Sequence, residues 1–171
     1  KTAVIFSLED VLIPAPTDAR GKIDPAQVSA FLDDALAFQK KNPGLQYYLI
    51  SAYSEKICAQ KIKEANLERY FPASHVFAVN EKYLSVRDPV DREIYQKKCE
   101  GDEYCTDEYF RQVQMKQIME QNNIAPQHML LLGHDYWFDG FYTRRFSAVD
   151  ILFIEEALSA RGKEIPERIE G

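Results

Sequence analysis

Short apolar runs alternate with longer segments of mixed polarity along this chain. Thr2-Ala3-Val4-Ile5-Phe6 is apolar and partly β-branched, which fits a buried strand. A loop containing Pro14, Pro16 and Gly21 follows. Asp24-Pro25 then opens a helix, with Asp as N-cap and Pro at the first helical position. Val28, Phe31, Leu32, Ala35, Leu36 and Phe38 mark its apolar side, and Asn42-Pro43-Gly44 ends it. Leu45 to Ile50 is a second buried run, after which Ser54 is placed to cap a helix through about Ala65. His75 to Val79 reads as a third strand. Residues 80–106 are polar, Tyr-rich and punctuated by Pro89 and Gly101, so they read as a small insertion with little core of its own. A helix from about Asp107 to Gln121 leads through Ala125-Pro126 into a fourth buried run, His128 to Leu132.

Two readings stay open for the C-terminal part. Ala148 to Ile154 fits a fifth strand. Ser147 with Asp150 three residues later fits a capping box, and Gly162 fits a helix stop, so one helix across 148–161 competes. Strands alternating with helices predict an α/β fold, a Rossmann-like three-layer sandwich with a mostly parallel central sheet and a small insertion after the third strand. Ligands in such sheets sit beyond the carboxyl ends of the strands, so the residues just after each apolar run are the informative ones.

Composition narrows the classes. The chain has 171 residues, 46% of them hydrophobic and 28% charged, enough for one sizeable core. Its formal charge of −6 argues against binding a nucleic-acid backbone. No apolar run approaches the roughly 20 residues that span a bilayer. No basic segment followed by an apolar stretch and a small-residue cleavage site opens the sequence, so the expected compartment is the cytoplasm. The apolar run beginning directly after Lys1 suggests a single domain, 1–171, taken from a longer chain. Cys58, Cys99 and Cys105 form neither a zinc pattern nor a disulfide framework. Cys99 and Cys105 flank an acidic loop and are able to pair under oxidising conditions, or to remain thiols in a reducing compartment.

The strand ends carry the chemistry. Phe6-Ser7-Leu8-Glu9-Asp10-Val11-Leu12 follows the first run and Ser51-Ala52-Tyr53-Ser54 the second. Lys116 lies on the helix before the fourth run, and Gly133-His134-Asp135-Tyr136-Trp137-Phe138-Asp139 follows it. This order resembles the haloacid dehalogenase-like superfamily of phosphotransferases across roughly residues 3–140. The family carries an Asp-x-Asp motif after strand one, a Ser or Thr after strand two, a Lys before strand four and an acidic motif after it. The resemblance makes Ser51 the hydroxyl that holds a phosphoryl oxygen and Lys116 the family's lysine. It makes residues 80–106 a small cap-like insertion. Asp10 stands where the family often has Gly or Asp.

The departures weigh more than the matches. Ser7 replaces the nucleophilic Asp, Glu9 replaces the general acid/base Asp, and His134 stands where an acidic residue is usual. A carboxylate nucleophile forms an acyl-phosphate and contributes charge to a Mg²⁺ site, whereas a Ser hydroxyl needs a neighbouring base and is a neutral ligand. Glu9 retains the capacity to transfer protons, with its carboxyl moved outward by one methylene. Asp135 and Asp139 share a face if the stretch between them is helical, and with the Glu9 backbone carbonyl they offer oxygen ligands for weakly held Mg²⁺. Asp135 equally suits the cap of a helix at 137–146. Tyr136, Trp137, Phe138, Phe141 and Tyr142, followed by Arg144 and Arg145, combine residue types common at protein interfaces. These residues predict a catalytically degenerate domain that binds or scaffolds a protein partner. The alternative is a Mg²⁺-dependent phosphohydrolase with a rearranged, open site acting on a phosphorylated macromolecule or a small phosphoester.

Overall fold

A computed structural model describes residues 1–14, 23–80, 108–134, 139 and 149–153, together with residues 85, 89, 90 and 93. Among the described residues, five parallel strands form one sheet: β1 (Thr2–Ser7), β2 (Leu45–Ser54), β3 (Val76–Val79), β4 (Met129–Gly133) and β5 (Asp150–Phe153), in the order β3-β2-β1-β4-β5. Among the described helices, α1 (Pro25–Lys41) lies between β1 and β2, α2 (Glu55–Glu64) between β2 and β3, and α3 (Glu108–Asn122) between β3 and β4. The α/β architecture with a parallel central sheet agrees with the expectation from sequence. β5 settles the open C-terminal reading at residues 150–153, where Leu130 to Gly133 of β4 pair with Asp150 to Phe153.

Period-two alternation sorts the side chains to the two sheet faces. Phe6, Tyr47, Leu49 and Leu132 point to one face and pack with Val28 and Leu32 of α1 and Cys58 and Ile62 of α2. Ala3, Ile5, Tyr48, Ile50 and Leu131 point to the other and pack with Met115 and Ile118 of α3. The layers are therefore helix, sheet, helix, with every central strand buried on both sides.

The helix boundaries follow local chemistry. Asp24 accepts a hydrogen bond from the Ala26 amide at 2.9 Å with Pro25 at the first helical position, and Ser54 accepts from Ile57 at 3.4 Å. On α1 the buried stripe is narrower than the apolar one. Val28 and Leu32 are buried and Phe31, Ala35 and Leu36 half-buried, but Phe38, in the last turn, is 59% exposed. β2 runs four residues further than its apolar core predicts, and β3 starts at Val76 because His75 closes a short 3₁₀ turn. No helix among the described residues is long and apolar enough to cross a membrane. Most of the insertion expected at 80–106, Cys99 and Cys105, most of the helix expected at 137–146 and the continuation of the chain after 153 lie outside the described residues.

Candidate functional site at the strand ends

The direction of winding reverses at β1. β2 and β3 lie on one side of it with α1 and α2 on one face, while β4 and β5 lie on the other side and α3 covers the opposite face. The crevice outside the carboxyl ends of β1 and β4 is thus the topological switch point, where open α/β sheets bind ligands. Ser7 ends β1 there, and Gly133 ends β4.

The segment after β1 folds back on itself. The Leu12 and Ile13 amides both donate to the Leu8 carbonyl at 3.1 Å, the Leu8 amide continues the sheet by donating to Ile50 at 2.9 Å, and the Asp10 amide donates to Ile13 at 2.7 Å. Asp10 takes a left-handed φ of 59°, a conformation that Gly, Asn and Asp tolerate best. Leu8, Val11, Leu12 and Ile13 are buried, which anchors the turn to the core and directs Glu9 inward.

Glu9 is 4% exposed, and its Oε1 accepts from the Ser51 hydroxyl and, at 3.0 Å, from the Ala52 amide. Ser51 Oγ in turn accepts from the Tyr53 amide at 3.0 Å. Two of the residues singled out in the sequence are therefore joined directly, and a buried carboxylate is held by one hydroxyl and one backbone N–H. The arrangement is possible because the β2–β3 register shifts between Ile50 and Ser54, so this stretch of β2 departs from the regular ladder. The Ser51 carbonyl is satisfied instead by the fully buried Gln114 of α3, whose Nε2 donates to it at 2.7 Å.

Gln114 is the functional-region residue that motif reasoning passes over. Its signal is positional, a polar side chain within the apolar stripe that includes Met115 and Ile118. Lys116, two residues on, projects from a different face. Its side chain is 75% exposed and lies 3.8 Å from Glu120 one turn later, so the structure does not bring it to Ser51 and Glu9.

Across the switch point, Asp139 is 2% exposed and its Oδ2 accepts from the His134 amide at 2.9 Å. A Cβ at Gly133 would stand 2.5 Å from the Asp139 Cβ, so only glycine lets the carboxylate approach the end of β4 this closely. His134 contributes its backbone amide to that contact. Ser7 is fully buried at the end of β1, opposite Ile50 of β2. Among the described residues no three His, Cys, Asp or Glu side chains gather where a metal ion would be held. Asp135, the other carboxylate expected to ligate Mg²⁺, lies outside them, as do Tyr136, Trp137 and Tyr142.

No protein-family model matches the sequence, and no curated protein matches it. Among solved structures, the chain is similar to a Thermotoga maritima protein described as a "putative beta-phosphoglucomutase". The two share 14% sequence identity with a TM-score of 0.47, over 94% of this chain and 98% of the other.

Proposed function

We propose that this chain is a catalytically degenerate haloacid dehalogenase-like domain that works as a binding or scaffolding module. The observation that carries the reading is the capture of Ser51 by Glu9. The Ser51 hydroxyl and the Ala52 amide are the donors a phosphoryl oxygen would need at the end of β2, and both are directed to the domain's own carboxylate. A phosphate entering there would have to displace the Glu9 carboxyl from these two donors. Ser7, in place of the family's nucleophilic carboxylate, adds to the reading, because a covalent enzyme loses most of its rate with its nucleophile. The aromatic segment around Tyr136, Trp137 and Tyr142 is the proposed protein-binding surface of this module.

A second reading has one observation in its favour. The His134 amide holds the Asp139 carboxylate at the end of β4, where Gly133 leaves room for it. In that reading Glu9, Asp135 and Asp139 surround Mg²⁺ in a phosphohydrolase with an open site. The deciding experiment is hydrolysis of an aryl phosphate and a phosphopeptide panel, with and without Mg²⁺, beside an Asp135→Asn variant. The binding-module reading expects no turnover above background from the folded protein. Mg²⁺-dependent turnover that disappears in Asp135→Asn would establish the enzyme instead.

A further inference from the structure

A second concave surface lies away from the strand ends, along the outer edge of the sheet. It is a groove of about 360 Å³ between α2, the segment at residues 68–73 and β3. Ile62, Phe71, Val76 and Ala78 supply its apolar walls and floor, and Ala59 and Ala73 keep it shallow at the rim. The charged residues lining it are both acidic, Glu55 at the start of α2 and Glu68 after its end. Glu55 is fixed in place by the Asn80 amide, which donates to its Oε1 at 2.8 Å. Ala59, Glu68, Pro72 and Ala73 are exposed, so the groove is open along one side. Its volume lies at the lower end of the range for ligand pockets, and β3 beside it is the terminal strand of the sheet among the described residues.

We infer that this groove docks an extended peptide segment of a partner protein, one that places a bulky apolar side chain against Phe71, Ile62 and Val76 and flanks it with Lys or Arg facing Glu55 and Glu68. Charge complementarity selects the occupant. An acidic rim around an apolar floor favours a basic, apolar segment and repels an acidic one. A second copy of this chain, with its formal charge of −6, is a poor fit for the same reason. An extended peptide suits the place because β3, the terminal strand among the described residues, borders the pocket that reads a side chain. The inference does not depend on whether the strand-end site is catalytic.

The test begins with panning random dodecapeptides displayed on phage against the full chain, then titrating the enriched peptides as synthetic, fluorescently labelled segments. The enriched set should carry an aromatic or large aliphatic residue flanked by Lys or Arg. Ala59→Arg, which fills the rim from an exposed helical position, should weaken binding at least about tenfold, and Glu68→Lys at least about fivefold. The amide resonances of Ala73 and Val76 should shift on titration. Failure to enrich any peptide, enrichment of acidic or purely apolar ones, or affinities indifferent to both variants would each overturn the inference.

Discussion

At the scale of single residues, the decisive contact is Ser51 with Glu9. A carboxylate that is almost wholly buried depends on its few donors, and Ser51→Ala removes one of them and also the acceptor of the Tyr53 amide. The expected loss of stability is about 1–3 kcal/mol, read from urea unfolding. A double-mutant cycle with Glu9→Gln should give a coupling between about 0.5 and 3 kcal/mol, whereas simple additivity would mean that the two side chains do not act on one another. Both residues were legible in the sequence as strand-end positions, but their partnership was not. They stand 42 positions apart, and only parallel pairing of β1 with β2 brings them together. The left-handed turn at Asp10 was legible only in part, as a position tolerant of Gly or Asp. Lys116 and Gln114 show why motif spacing alone misleads on a helix. Two positions turn a side chain to another face, so the residue that reaches β2 is the inconspicuous glutamine and not the lysine of the motif.

At the scale of elements, β2 is the strand on which both layers depend, and its adjacent tyrosines look in opposite directions. The Tyr47 hydroxyl donates to the Ala35 carbonyl of α1 at 2.7 Å, while the Tyr48 ring stacks on His75 at 4.7 Å and meets Phe77 edge-on. Burial raises the pKa of both phenols above the ordinary 10.0. The folded state therefore keeps these protons at pH values where the unfolded chain releases them. Stability from this source is complete below about pH 10 and is lost as pH rises through the folded-state values. Tyr48→Phe should flatten the alkaline decline in denaturant midpoint, and Tyr47→Phe should do so while costing about 1 kcal/mol at neutral pH through the lost hydrogen bond. A wild-type midpoint that stays level well above pH 10 would contradict the assignment. Element boundaries were legible where a side chain makes them, as at Asp24 and Ser54. They were not legible where tertiary pairing does. Residues 150–153 carry a strand-like run beneath a plausible capping box, and β4 offering a free parallel edge decides between the two.

At the scale of the whole molecule, the two hydrophobic layers are formed by the same strands. Phe6 and Ile5 are neighbours in sequence yet belong to opposite layers, and the same holds for Leu49 and Ile50 and for Leu131 and Leu132. Removing either layer exposes one face of every central strand, so neither layer has an independent scaffold. The described core should therefore unfold as one cooperative unit, although its two sides are built by different helices. Leu32→Ala on α1 and Ile118→Ala on α3 test this from opposite faces, since both side chains are buried in their respective layers. Each should lower stability by about 2–5 kcal/mol. Each should also shift a single transition on which far-UV ellipticity and near-UV tyrosine signals coincide. If Ile118→Ala moved one signal ahead of the other, the α3 layer would be separable from the α1–α2 layer. The switch point between β1 and β4 would then lie on a boundary between two units, and Ser51 would lose the fixed position that its bond from Gln114 on α3 requires.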